Sequence, residues 1–492
     1  MVLRRTNNRI RLSSNIAVSF ADGLLSSSAL NDAYWNSLYD SYMGHTATPD
    51  DWADYVVDFN NGNNSNSGEY GAPLATIENA IGRIGPGGKI LIKDGVSNNL
   101  PDNIINDNSG GINYYTIPSG INAANPTIIR AENPFRTKIR FTTPGILNYF
   151  DHIIGLLNAS NVWVDGIVYE HLGGADPEWT GYVGGSNTLS RSLGMRNEAN
   201  TYGGVMSTGG NNVLFQDCAF RGAGRYIIQA SGNSSDINHI YRRMLLRQDA
   251  FPNQGQPKGT FNWYGGNSGV GPGQTGQSEL QTVIVLDGNG SFVGSGLEQK
   301  YGGIMHAHSS SGIIKRDCIV YNEEVYHAGF WNGESSNGAS YDNDIINCIA
   351  WRIKGNSGGA PAAGINDSTT LSHILDQLTI GQCDGTNNAS GNTATNSYIS
   401  DTVPADLLNV PGGASIQKIM GAFMSRYGEP GYNLPTSEDL WPNYPYESEI
   451  RREFQIQHAN ASGHTPAVTA NRGWVNNPAG LYDYLNKDRA SA

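Results

Sequence analysis

Between about residues 50 and 400 the chain is written in short apolar runs that alternate with polar positions and stop at Asn, Asp, Gly or Ser. A period of two is the signature of strands, and the stops supply turns. The runs superpose as one repeated phrase: Val162-Trp163-Val164-Asp165-Gly166-Ile167-Val168-Tyr169, then Leu214 to Arg221, Tyr241 to Arg247, Ile314 to Tyr321, Ile345 to Trp351 and Ile374 to Ile380, with Val283 to Gly288 as a partial copy. In each full copy a polar residue closes one strand and the next residue turns into the core. The marked positions recur at regular intervals: Asp217 to Arg243 is 26 residues, Asp287 to Asp317 and Asp317 to Asn347 are 30 each, and Asn347 to Asp376 is 29. Asp165 to Asp217 is 52, read as two coils of 26. Arg243 to Asp287 is 44, and the surplus coincides with the Gly-, Pro- and Gln-rich stretch Pro252 to Gln277, read as a protruding loop.

A strand-turn unit returning at 26 to 30 residues predicts a solenoid, because each coil can bury its apolar face only against its neighbours. Asp165, Asp217, Asp317, Asn347 and Asp376 are read as turn residues that stack from coil to coil. A structural cation such as calcium is the alternative for that row, and no other cofactor or metal is called for. Four positions further on stand Tyr169, Arg221, Arg247, Tyr321 and Trp351, broad side chains of the kind on which sugar rings pack. They are the candidate substrate-binding residues.

Composition fits this reading. Gly 62 in 492 residues and a charged fraction of only 15% suit many short strands and tight turns. The net charge of -13 argues against nucleic acid as a partner, since phosphates would be repelled. No stretch approaches the apolar length of a membrane span, and the basic start Met1 to Asn8 lacks a secretory apolar run. The expected location is the cytoplasm of synthesis, or export within a virus particle. Cys218, Cys318 and Cys348 sit inside apolar strand patterns and read as reduced, buried side chains.

The stretch Asp54 to Ile81 gives a strand, an Asn/Gly/Ser turn and Pro73-Leu74-Ala75-Thr76-Ile77 entering a helix; Gly88 to Gly95 and Pro126 to Ala131 follow as the first coil strands. This order resembles the opening of right-handed parallel β-helix proteins of the pectate-lyase-like superfamily, in which a helix plugs the open coil end. Phe20 to Leu38, with Phe20, Gly23, Ser26 to Ser28, Leu30-Asn31 and Tyr34-Trp35, resembles the N-terminal segment of bacteriophage tailspikes and tail fibres. The resemblance implies virion attachment through a phage tail or adaptor protein, a homotrimer, and recognition of a bacterial surface polysaccharide. The domain reading is therefore 1–50 attachment segment, 51–400 all-β right-handed parallel β-helix, and 401–492 a C-terminal cap or assembly region. That last region contains helical patterns at Ser415 to Tyr427 and Glu447 to Gln457.

Glycosidic hydrolysis needs two carboxyl groups, and polysaccharide elimination needs a base with a group that neutralises a uronate. The densest gathering of suitable residues runs from Glu298 through Tyr301, His306 and His308 to Tyr321 to His327. Glu298 or Glu323 is the candidate acid and His306 or His327 the candidate base. A second gathering, Arg242, Arg243, Arg247, Asp249 and Tyr264, suits an acidic sugar through bidentate contacts. The alternatives to a tailspike are a free polysaccharide lyase or glycoside hydrolase, and a non-catalytic adhesin or filament subunit.

Overall fold

The computed structural model describes residues 52–97, 105–106, 117–122, 125–132, 136–141, 154–157, 159–171, 205–208, 210, 212–221, 226–232, 239–248, 259–265, 278–286, 301–307, 313–321, 323–332, 343–351, 353–355, 361–367, 374–381, 383–385, 387 and 394–399, together with the antiparallel pair Arg4–Thr6 and Arg9–Arg11. Within 52–399 the paired strands run parallel along the length of the coil, and they stack into a parallel β-helix with three faces.

Sheet A begins with Tyr55–Val57, Lys89–Ile92 and Thr127–Ala131 and continues through Val162–Asp165, Val213–Gln216 and Ile313–Arg316 to Ala394–Thr395. Sheet B stacks Gly95–Ser97, Thr137–Phe141, Ile167–His171, Ala219–Arg221, Ile319–Tyr321, Ile349–Trp351 and Thr379–Gly381. The long strands His239–Arg247 and Ser278–Leu286 serve both sheets. Sheet C stacks Ile105–Asn106, Ile154–Leu157, Val205–Thr208, Tyr226–Gly232, Gly259–Gly265, Gly302–Ala307, Ala328–Asn332 and Ala363–Asp367.

In seven coils the corner between sheets A and B is made by a residue in the left-handed region: Gly166 (φ 78°), Asp217 (51°), Thr282 (54°), Asp317 (56°), Asn347 (52°), Gln377 (55°) and Asn396 (45°). A single residue of that conformation turns the chain sharply enough to start a new sheet, and Asn and Asp tolerate it best among non-glycines. The Nδ2 of Asn347 donates to Oδ1 of Asp317 in the coil below, so the row is stitched by side chains. The following residues, Cys218, Met244, Cys318 and Cys348, are buried in the core, and all four cysteines are free.

The register corrects three of the marked positions. Asp165 pairs with Gln216, so the corner residue of its coil is Gly166; Asp376 likewise precedes the corner residue Gln377. The corner residue after Arg243 is Thr282, five positions before the expected Asp287. A slip of one residue moves a side chain to the other face of a strand, and Asp165 accordingly stands on the outer side of sheet A, 3.8 Å from Arg130. Two intervals are corrected as well. Val162 pairs directly with Val213, so positions 162 to 213 form one coil and not two. Residues 252–277 are not a single loop, because Gly259–Gly265 lies within them as a strand of sheet C.

At the coil's start Thr76 caps the helix Ile77–Ile81, accepting from the backbone N–H of Asn79 at 3.2 Å. Ile77, Ala80 and Ile81 are buried in the same core as Val57, Leu74 and Ile90, so the helix seals apolar surface that the first coil would otherwise expose. No helix among the described residues is long and apolar enough to cross a membrane. The segment Phe20 to Leu38 and everything after 399 lie outside the described residues.

Candidate functional site

Sheet C carries a repeated five-residue phrase: Gly259-Thr260-Phe261-Asn262-Trp263, Gly302-Gly303-Ile304-Met305-His306, Ala328-Gly329-Phe330-Trp331-Asn332 and Ala363-Gly364-Ile365-Asn366-Asp367. The third residue of each, Phe261, Ile304, Phe330 or Ile365, is in the core. The fourth residue therefore points outward, and along the coil axis these positions form one row: Gln229, Asn262, Met305, Trp331, Asn366. The first residue is small for a reason. A Cβ on Gly302 would stand 3.2 Å from Cβ of both Met305 and Trp331, and one on Gly259 would stand 2.6 Å from Sδ of Met305. These glycines leave room for Met305 and Trp331 to lie back along the sheet.

Beside that row, at the corner between sheets B and C, the half-buried rings of Tyr301, Tyr326, His327 and Trp331 assemble. The imidazole of His327 stacks on Trp331 with centroids 4.6 Å apart and on Tyr301 at 5.4 Å, while Tyr326 meets it edge-on at 4.6 Å. Tyr301 lies 5.4 Å from Trp331, and Met305 packs under both. Backbone bonds hold the corner: the N–H of His327 donates to the carbonyl of Tyr301 at 3.0 Å, and the carbonyl of His327 accepts from Ala363 at 3.0 Å. Glu324–Val325 and Lys354–Gly355 form a short parallel pair on the same corner, with Glu324 in register with Lys354. Burial among the rings pushes the His327 imidazole below its ordinary pKa, so it is neutral at pH 7. The result is a half-buried cluster of stacked and edge-on aromatic rings on the outside of the coil, with an imidazole in it.

Of the four acid–base candidates, Glu323 and His327 have described side chains, and these two stand apart, one in the interior and one on the outside of the coil. Glu323 is fully buried, its Oε1 3.4 Å from the hydroxyl of Thr260, which is also 3.4 Å from Oε1 of Gln248. It belongs to an interior polar group and does not face solvent, which corrects the expectation of a surface acid. His306 occupies the row between Trp263 and Asn332, whose side chains are buried. Asn332 accepts from the Nζ of the equally buried Lys315 at 2.6 Å. His327 is on the outer slab, and Glu298 lies outside the described residues.

The five ligand-contact candidates divide the same way. Tyr169 is in the core, its ring stacked on Phe220 at 5.3 Å, because the one-residue slip at Asp165 puts Glu170 where Tyr169 was expected. That call is corrected. Arg221 and Arg247 share one row of sheet B, and Tyr321 and Trp351 share another part of it. Arg247, Tyr321 and Trp351 are at most 2% exposed, so the expectation that they offer an open surface is corrected too. Of the arginine cluster, Arg242 is buried on sheet A, 3.2 Å from Oε1 of Gln216. For Arg243 and Tyr264 only the strand positions are described, and Asp249 lies outside the described residues. Among the described residues no three His, Cys, Asp or Glu side chains are grouped to hold a metal.

Trp331, Met305 and Asn262 were not singled out in the sequence. The signal in the sequence is weak: the fourth position of the phrase varies from coil to coil (Asn, Met, Trp, Asn), but so does the fifth (Trp, His, Asn, Asp), and only the pairing of the strands shows which of the two faces out.

No family model matches the chain, and no curated protein does. Among solved structures it is similar to a rhamnogalacturonan lyase, at 14% identity and a TM-score of 0.44 over 81% of this chain and 97% of that one. It is also similar to pectate lyase Pel9A, at 13% identity and a TM-score of 0.39 over 81% of this chain and 90% of that one. Likeness at that level carries no inference about activity.

Proposed function

We propose that this protein is a glycan-recognising β-helix whose binding face is the outer side of sheet C. The observation that carries the reading is the half-buried cluster of Tyr301, Tyr326, His327 and Trp331, beside which glycines leave room for Met305 and Trp331. Sugar rings present apolar C–H faces that pack on aromatic planes, and an elongated coil offers a repeating row for a polymer. The biological setting that accords with the N-terminal sequence is a trimeric bacteriophage tailspike: Phe20 to Leu38 attaches the protein to the tail, and the coil engages a bacterial surface polysaccharide. Depolymerisation would need a base on this face, and the half-buried imidazole of His327, set beside Tyr301 and Tyr326, is the group placed to serve as one.

Calorimetric titration with purified bacterial surface polysaccharides tests the reading. Trp331→Ala should weaken binding by about tenfold or more, as expected for an aromatic anchor; unchanged affinity overturns it. Reducing-end release and absorbance of unsaturated uronates separate hydrolysis, elimination and binding alone. Deleting residues 1–50 should remove the protein from virions, and unaltered incorporation would sink the tailspike setting.

A further inference from the structure

Asn262 occupies the outer row of sheet C next to Met305, and it is fully buried, yet among the described residues neither its amide oxygen nor its amide nitrogen has a hydrogen-bond partner. Buried polar side chains in native proteins are almost always bonded, and leaving one unbonded is unfavourable enough to call for a reason. Asn366, two coils beyond Met305 in the same row, repeats the feature: its Oδ1 is buried with no hydrogen-bond partner among the described residues. Strands in a sheet are about 4.8 Å apart, so Asn262 stands about 10 Å from Trp331 and Asn366 about 5 Å beyond it. Two amides with unused bonding capacity therefore bracket the apolar strip of Met305 and Trp331.

We propose that Asn262 and Asn366 are specificity-determining residues of the glycan site, an inference that rests on the glycan reading above. A planar amide offers one acceptor and a pair of donors side by side, the complement of two adjacent hydroxyls on a pyranose. Trp331 takes the face of the ring between them. The row Asn262, Met305, Trp331, Asn366 carries no charge at any pH, so the sugar it selects is neutral and rich in hydroxyls. Arginines suited to uronates or phosphates stand elsewhere: Arg242 and Arg247 are on sheets A and B and are 1% exposed. Asn262 is 0% exposed, so a sugar reaches its amide only with a local rearrangement and association is slow, as it is whenever binding needs a conformational change.

The test is Asn262→Leu, of similar size but without the amide, probed with immobilised fragments of glucan, galactan and mannan and with oligogalacturonate as the acidic counterpart. The expected result is an unchanged or higher melting temperature together with at least a tenfold loss of affinity for the neutral fragment that the wild type prefers. Wild-type affinity in Asn262→Leu overturns the role of Asn262, and a wild type that binds oligogalacturonate alone overturns the sugar class. If Asn262→Leu folds poorly, Asn366→Leu, at a half-buried position, must show the same loss. A wild type that binds none of the fragments and no surface polysaccharide refutes the glycan reading itself, which is a different failure.

Discussion

Trp351 and Trp331 both stand on strands of the coil and outside its main core, but their surroundings differ. Trp351, on sheet B, is 0% exposed, and its neighbours along that outer side, Tyr321 and Arg247, are almost as deeply covered. The outer side of sheet A is the same: Trp163, Leu214 and Ile240 form a second apolar cluster with Trp52. Trp331, on sheet C, is half-buried and stacked among other half-buried rings. In a β-helix with apolar outer faces, a large aromatic in the repeat therefore says little about ligands until its face is known. The sheet that leaves its rings open is the one to test.

Removing each tryptophan sets the two faces against one another most strongly. Trp351→Ala should cost about 3–5 kcal/mol of stability, the usual consequence of deleting a fully buried indole, while the folded protein keeps its affinity for glycan. Trp331→Ala should cost about 1 kcal/mol or less and remove binding. Urea midpoints and glycan titrations of both variants decide this; a large stability loss at Trp331 with binding intact would make sheet C another covered wall.

Much of the coil could be read in the sequence, because identical physical demands recur in every turn: an apolar position facing in, and a small or polar residue at the corner. What could not be read was register. Asp165-Gly166 and Asp376-Gln377 each offer two adjacent residues for one corner, and only the pairing of Asp165 with Gln216 and of Asp376 with Ile346 selects between them. Thr282 is not legible as a corner residue, because a β-branched residue is a poor fit to the left-handed region. The site was half legible. Tyr301 and His327 fall in the stretch that was nominated for its ionisable groups, but their association depends on sheet C bringing Trp331 and Met305 beside them. Glu323 reads as a turn carboxylate in sequence and is interior because the B–C corner folds it toward Thr260.

The covered face also holds a titratable group. Glu279, on the outer side of sheet A, is 0% exposed; burial raises its carboxyl to about 7, although Nε of Arg316 lies 2.9 Å from it. In the unfolded chain the carboxyl ionises in its ordinary range, so the unfolded state releases this proton first. Stability should therefore be greatest for this group below about pH 4.5, fall as pH rises to about 7, and level off above it, a change of at most about 3 kcal/mol. Glu279→Gln should flatten that slope in urea midpoints measured from pH 4.5 to 8. A slope unchanged in the variant would mean that the face is wetter than its burial implies.

The smallest expected effect lies at the A–B corner, farthest in kind from the aromatic slab. Thr282 holds φ at 54°, where its branched Cβ is strained, while Gly166 fills the equivalent position in an earlier coil without that strain. Thr282→Gly should raise stability by about 1 kcal/mol, the relief of the left-handed strain exceeding the flexibility added to the unfolded chain, and should leave glycan affinity unchanged. The urea midpoint and a titration of the same sample read both. A lower midpoint would show that the Thr282 side chain, 2% exposed, packs well enough to outweigh its own backbone strain. The corner row would then be a packed wall like the faces it joins, and the half-buried rings of Tyr301, Tyr326, His327 and Trp331 would stand out further as the exception.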